Sequence, residues 1–343
     1  MITGIVIAGV TIVLYHSTLD YPFLFDDSPN IVKNPDIRVT ALDAQSLASV
    51  IRAQHPTPRP VAYLSFAVNY RFSGYAPRWY RVINIGIHVV NGVLVYILCL
   101  LILIRVHGRR SSQSNRRDRT TDDAVHRQPS PVHPYFLAAA VSIIWTVHPL
   151  QTQSVTYIVQ RMNSLAALFF LSAVCLYLVG RLAGRRMLSW SCFGGVVIAW
   201  GLALGSKQIA ITLPVVLLLI EWFFFQDLDR AWLLRSVKYW LIPLAVAGLV
   251  AVIYLKMKPI ANILAAYELR EFTMWERVLT QFRVIILYFT LLIYPHPGRL
   301  NLDHHVLASK SVVEPISTLT SIIVIAGLLC LSIVIARRHR LAS

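Results

Sequence analysis

Nine apolar runs punctuate the chain, near residues 2–16, 82–106, 135–147, 164–180, 188–204, 209–225, 239–255, 282–294 and 316–336. Most approach the ~20 residues that a helix needs to cross a ~30 Å hydrocarbon core. In lipid every backbone N–H and C=O must find its partner inside the segment, so runs of this kind must be helices. Of the 343 residues 56% are hydrophobic and only 14% charged, against about 25% charged in an ordinary soluble domain. The chain reads as an all-α polytopic membrane protein.

A net charge of +16 would suit nucleic acid, but the positive residues are segregated by topology rather than interleaved with aromatics in one soluble patch. Arg105, Arg109, Arg110, Arg116, Arg117, Arg119 and Arg127 crowd one loop and Arg181, Arg185 and Arg186 a second. Arg230, Arg235 and Lys238 mark a third, and Arg337, Arg338 and Arg340 the tail. The positive-inside bias makes all four cytoplasmic, and excludes nucleic acid as the partner. The Ser/Arg-rich stretch 108–132 reads as a disordered cytoplasmic loop. The first run lacks a basic leader and a small-x-small cleavage site before Tyr21, so it reads as a retained signal-anchor. Alternating spans from a cytoplasmic N-terminus put 17–80, 148–163, 205–208 and 256–276 outside. Keeping the basic tail inside then requires 282–294 to be re-entrant or interfacial, which leaves eight spans; nine result if it crosses.

The polar residues gather on the outer side. Segment 17–80 is too polar to span and too long for a plain turn; amphipathic pieces such as 42–54 make it a small folded cap. It opens with Asp26 and Asp27, followed by the turn-forming Ser28-Pro29-Asn30, so turn chemistry competes with function there. Arg81, Asn84, His88 and Asn91 share one face of the second span at i, i+3, i+7 and i+10. Such a stripe marks either a substrate path or hydrogen-bonded glue between helices; function is the favoured reading. Gln153, Tyr157, Gln160 or Arg161, and Ser164 recur at helical spacing at the start of the fourth span, and Ser206-Lys207-Gln208 forms a tight outer turn. Three cations, Arg59, Arg161 and Lys207, are thus expected on the face that carries Asp26 and Asp27, with snorkelling the bland alternative for the lysine. If 282–294 is re-entrant, Asp303, His304 and His305 join them. The four cysteines all lie in apolar runs without metal or disulfide spacing and read as core fillers.

Carboxylates beside cations at membrane level suit a lipid-phosphate sugar donor. Arg or Lys stabilises charge on the departing phosphate, and a carboxylate takes the proton of the acceptor hydroxyl. Two other classes compete: a lipid-linked-sugar transporter, whose polar groups belong near mid-membrane, and a catalytically inactive scaffold, which has no need of the carboxylates.

The order F-DD, I-x-x-N-P-D-I, R-P, S-F-x-x-N-Y, G-Y-x-P, N-I-x-I-H, H-P-x-Q-T-Q-S-V, Y-I-x-Q-R, S-K-Q with T-L-P, L-T-Q and L-N-x-D-H resembles the transmembrane and tetratricopeptide-repeat O-mannosyltransferases and their bacterial relatives, of the GT-C class. The likeness covers nearly the whole chain. It implies a GT-C-like helix bundle over 1–343 and inverting transfer of a monosaccharide from a polyprenyl-phosphate donor to a hydroxyl, on protein Ser/Thr or a glycan. On this resemblance Asp26 is the base, and Asp27 its neighbour or the ligand of a divalent metal; no other cofactor is implied. Arg59, Arg161 and Lys207 face the donor phosphate, while Asn84, His88, Asn91, Gln153, Tyr157, Asp303 and His304 line the substrate pocket. The setting is a multi-pass protein of the bacterial inner membrane facing the periplasm, or of the endoplasmic-reticulum membrane facing the lumen. The chain departs from the family pattern at Gln153 and Gln208, where glutamates are expected. No W-x-x-L-G-x-x-Y repeat is found, so the chain reads as a fragment or a short form.

Overall fold

A computed structural model describes residues 2–53, 59–117, 133–254, 267, 270–301, 304 and 306–341. Among these residues the regular structure is helical throughout: α1 (Ile2–Tyr15), α2 (Ala44–Arg52), α3 (Pro60–Ser73), α4 (Pro77–Arg117), α5 (Pro134–Val147), α6 (Gln151–Thr156), α7 (Arg161–Leu182), α8 (Arg186–Ser206), α9 (Leu213–Phe224), α10 (Arg230–Tyr254), α11 (Met274–Ile293) and α12 (Ile316–Leu341). Every apolar run of the sequence falls on a helix. The starts follow local chemistry. Proline opens α3, α4 and α5, where its missing N–H has no intrahelical partner to lose. The Asp43 side chain accepts from the Ser46 N–H at 2.7 Å to cap α2, and Thr273 and Glu276 form a reciprocal capping box on α11.

Among the described residues four helices are long and apolar enough to cross a membrane: Pro77–Val106, Ile158–Leu182, Arg186–Ser206 and Ile316–Ile335. Ile2–Thr18, Pro134–Val147 and Gln208–Phe224 are shorter apolar helices, and α10 and α11 fall in neither group. The helix α4 continues to Arg117, into the stretch read from sequence as a disordered loop; 118–132 lie outside the described residues.

The chain divides into two compact units, Met1–Arg235 and Ser236–Ser343. In the first, α4 is the central post, packed on α1, α5 and α7, with α7 packed in turn on α8. Gly92 permits a close approach in this packing. A Cβ there would stand 2.7 Å from Thr146 Oγ1 and 2.9 Å from Ile7 Cγ2, so α1 and α5 close on α4 only because the side chain is missing. Ser142 Oγ donates to the Gly92 carbonyl at 2.6 Å across the same seam. Farther along α7, Arg181 grips Glu221 of α9 through Nε and Nη2 at 2.9 and 2.7 Å, and Tyr177 donates to the same carboxylate at 2.6 Å. The lone acid of an apolar helix thereby becomes a lock between α7 and α9.

The segment 17–80 has its own core. Ile31, Ile37, Val50, Tyr63, Phe66 and Tyr80 pack with Tyr157, Ile158 and Met162 from the start of α7 and the turn before it. This cluster ties the first loop to a segment more than a hundred residues later, and it is the platform on which the candidate site stands. In the second unit α11 packs on α12, with Leu279, Thr280 and Leu291 of α11 buried.

Candidate active site

The two adjacent aspartates have opposite fates. Asp27 is fully buried. Its Oδ2 accepts the Leu24 N–H at 3.0 Å and its Oδ1 the Val159 N–H at 2.7 Å, so the side chain bolts the loop to the turn before α7. Burial raises its carboxyl above the ordinary carboxylate range, against the two backbone N–H groups and the Arg81 guanidinium, which favour the ionised form. Asp26 is exposed. Its backbone N–H donates to Tyr157 Oη at 2.8 Å, and among the described residues no hydrogen bond reaches its carboxylate. Phe25, just before it, has φ +40°, in the left-handed region that non-glycine residues avoid. Such a backbone costs about 1–3 kcal/mol and persists only where its surroundings over-determine it.

The surroundings do. Arg81, 1% exposed on α4, donates Nε to the Thr156 carbonyl at 3.1 Å and Nη2 to Pro22 at 2.7 Å. Its Nη1 reaches the carbonyls of Leu19 and Tyr21. One guanidinium thus clamps both the loop that presents Asp26 and the turn that carries Tyr157. With the Asp27 bolt and the Tyr157 hydroxyl, three side chains hold the Phe25–Asp26 peptide in place.

The remaining residues of the polar stripe are spent inside the bundle. Asn84 donates to the carbonyls of Val155 and Ile158, His88 meets the Thr146 carbonyl at 3.0 Å and stacks on Trp145, and Asn91 donates to the Ser164 carbonyl at 3.1 Å. All three are at most 3% exposed. Each of the three side chains thus bonds a carbonyl of a neighbouring segment, at the end of α5, in the turn before α7 or in the first turn of α7, which is the hydrogen-bonded glue that competed with the substrate-path reading.

Arg161 is engaged in the same way. It is fully buried, with Nε on Asn84 Oδ1 at 2.7 Å, Nη2 on Asn69 Oδ1 and the Tyr80 carbonyl, both at 2.8 Å, and Nη1 on the Ser65 carbonyl at 3.2 Å. It also lies against the Phe66 ring. Such a cation has no face left for a phosphate.

Arg59 and Lys207 differ. Among the described residues Arg59 Nε is buried without a hydrogen-bond partner, and Nη1 meets the Met162 thioether, a weak acceptor. No hydrogen bond or ion pair among the described residues engages the Lys207 ammonium, and burial together with the nearby Arg59 charge lowers its pKa. Two cations approach each other here, and among the described residues neither forms an ion pair with a carboxylate. Gly205 allows it: a Cβ there would stand 2.7 Å from Val61 Cγ2, so the end of α8 rests directly on the start of α3. Tyr63, one turn along α3, donates to Asn30 Oδ1 at 2.8 Å and ties this corner to the aspartate loop. Burial pushes its phenol up to about 12, against the pull of Arg59.

Gln153 is exposed on α6, and Tyr157 is buried with its hydroxyl on Asp26. Asp303 and His305 lie outside the described residues; His304 belongs to the second unit and lines a cavity there. A metal on Asp27 finds no companion ligands: the buried carboxylate already accepts two backbone N–H groups, and no cluster of three or more His, Cys, Asp or Glu forms among the described residues. Sequence reasoning missed the clamp role of Arg81, although its place on the stripe was the signal. It also missed the Glu221 lock, signalled by a single acid within an apolar run.

Comparison with known proteins bears on what such a loop is for. Protein O-mannosyl-transferase TMTC1 of Homo sapiens is 27% identical over 197 residues, 55% of this chain and 18% of its own length. TMTC4 of Homo sapiens is 31% identical over 175 residues, 49% and 22% of the two chains. Several curated relatives of this chain are TMTC protein O-mannosyl-transferases. Tmtc3 of Drosophila melanogaster is a third, 26% identical over 225 residues, 62% of this chain and 23% of its own. The chain spans about a fifth of the length of these curated relatives. No family model and no solved structure matches it. Apolar helices and TMTC homology together make this a multi-pass membrane protein.

Proposed function

We propose that the chain is a membrane glycosyltransferase of GT-C type that transfers a monosaccharide, mannose in keeping with its homologues, from a polyprenyl-phosphate donor to a protein hydroxyl. Asp26 takes the proton from the acceptor hydroxyl as the oxygen attacks the anomeric carbon. The carbon–oxygen bond to phosphate breaks, and the configuration inverts. Arg59 and Lys207 receive the charge that gathers on the departing phosphate. Eight spans, with α11 interfacial, place this chemistry on the periplasmic or lumenal side. Asp27, Arg81 and Tyr157 are positioning residues, and no step needs a metal on Asp27.

One observation carries the reading: of two neighbouring carboxylates, one is consumed in fixing the loop and the other is held exposed and unengaged, beside a strained peptide. A general base needs fixed geometry and an open lone pair; a loop charge needs neither. A scaffold offers no reason for the strain. A transporter wants polar groups open at mid-membrane, whereas Asn84, His88 and Asn91 are closed on carbonyls.

The test is transfer from a labelled polyprenyl-phosphate mannose by the purified protein, beside its Asp26→Asn variant. Transfer by wild type and its loss in Asp26→Asn at unchanged melting temperature is the expected result. Equal turnover by the two proteins would remove Asp26 from the reaction.

A further inference from the structure

The second unit holds a cavity of about 430 Å³ that the transferase reading leaves unused. One wall is a single face of α11, on which Arg277, Gln281, Val284 and Tyr288 follow at intervals of three to four residues. From Arg277 to Tyr288 this face runs about 16 Å at ~1.5 Å per residue. His304, Val306 and Ala308 also line the cavity, and their neighbours are pinned by Arg283 Nη1 on the Leu307 carbonyl at 2.8 Å and by the Ser309 N–H on Thr280 Oγ1, also at 2.8 Å.

Charge is concentrated at one end. Arg270 lies 5.3 Å from the Tyr267 ring centroid and 5.6 Å from that of Phe272. Arg277 lies 6.0 Å from the same Tyr267 ring and donates to its hydroxyl at 3.2 Å. Two guanidiniums therefore share one aromatic ring, and among the described residues neither has a carboxylate partner. Glu276, the nearest acid on α11, is occupied by Thr273 in the capping box. Among the described residues no acid lines the cavity. Beyond the arginines the lining turns apolar, with Val284, Leu287 and Val306. Outside the cavity, α11 and its end expose Trp275, Phe289 and Tyr294, the side chains that settle at a membrane interface.

We propose that this groove binds a phosphate-headed lipid, the phosphate between Arg270 and Arg277 and the first methylenes along Val284 and Leu287. Paired guanidiniums match phosphate oxygens in bidentate geometry, and a narrow apolar wall beside them takes a chain that a free anion lacks. The proposal does not depend on the role of Asp26.

The test uses the full chain in detergent, read by native mass spectrometry and by melting temperature. Its probes are phosphatidylglycerol, phosphatidylcholine, polyprenyl phosphate and inorganic phosphate. Expected is binding of phosphatidylglycerol, of polyprenyl phosphate or of both. That binding falls at least tenfold in the Arg270→Gln/Arg277→Gln double variant and is also reduced in Val284→Trp, which keeps both charges and fills the apolar wall. Which of the two lipids binds more tightly identifies the source of the head. The proposal is overturned if phosphatidylcholine binds as well as phosphatidylglycerol, or if equimolar inorganic phosphate displaces the lipid. Wild-type affinity in both variants, or no lipid bound by wild type, also overturns it.

Discussion

Replacing Arg161 and Lys207 separately should divide two effects that a sequence cannot divide, because both are cations at the outer ends of helices. Arg161 makes four donations to Asn84, Asn69, Ser65 and Tyr80 from a fully buried position. Truncation to alanine leaves those four oxygens without their donor and opens a cavity against Phe66. Breaking a buried charged network by removing one member costs about 3–5 kcal/mol. At roughly 2–4 °C per kcal/mol for a chain of this order of size, the melting temperature should fall by about 6–20 °C. Arg161→Lys should recover only part of this, since an ammonium cannot address four oxygens in a plane. Lys207 has none of these bonds, so Lys207→Ala should barely move the melting temperature. If its ammonium holds the donor phosphate, the lost charge-assisted contact is worth about 1.5–3 kcal/mol, roughly tenfold to over a hundredfold in affinity. The assay is binding of a polyprenyl-phosphate sugar, measured well below each variant's midpoint, beside a melting curve on the same preparation. An Arg161→Ala protein that melts like wild type but has lost donor binding would refute the assignment of Arg161 to the scaffold. Unchanged binding in Lys207→Ala would refute the phosphate corner.

Asp27→Ala should lower stability by about 2–4 kcal/mol, because it orphans the N–H groups of Leu24 and Val159, and should reduce transfer through the displaced loop; retention of both by the alanine variant, in melting and transfer assays, would contradict the bolt. Since burial raises the Asp27 pKa in the folded chain, its contribution to stability is fully present below the ordinary carboxylate pKa and declines as pH rises through the raised value; melting temperatures of wild type and Asp27→Asn across that window should diverge toward low pH. Gly205→Ala should destabilise, because about 1–3 kcal/mol of overpacking against Val61 outweighs the ~1 kcal/mol gain in helix propensity, and donor affinity should fall as Lys207 moves from Arg59. Glu221→Ala should lower the melting temperature without touching donor affinity, because it breaks the lock between α7 and α9.

Much of the scaffold was legible without coordinates. Apolar runs must become helices in lipid, since an unpaired backbone has no partner there, and the prolines at 60, 77 and 134 announce where helices begin. The stripe of Arg81, Asn84, His88 and Asn91 was legible as a face, and Asp26 with Asp27 as a pair. What each face meets was not. Periodicity states that two residues point the same way; it is silent about which carbonyl waits opposite. That partner comes from far along the chain: Tyr157 reaches Asp26 across 131 positions, Val159 reaches Asp27 across 132, and Arg81 reaches Thr156 across 75. Only the tertiary structure separates the buried aspartate from the exposed one and the satisfied arginine from the unsatisfied one, because the state of a polar atom is set by the partners within about 3 Å of it, and those partners are chosen by packing.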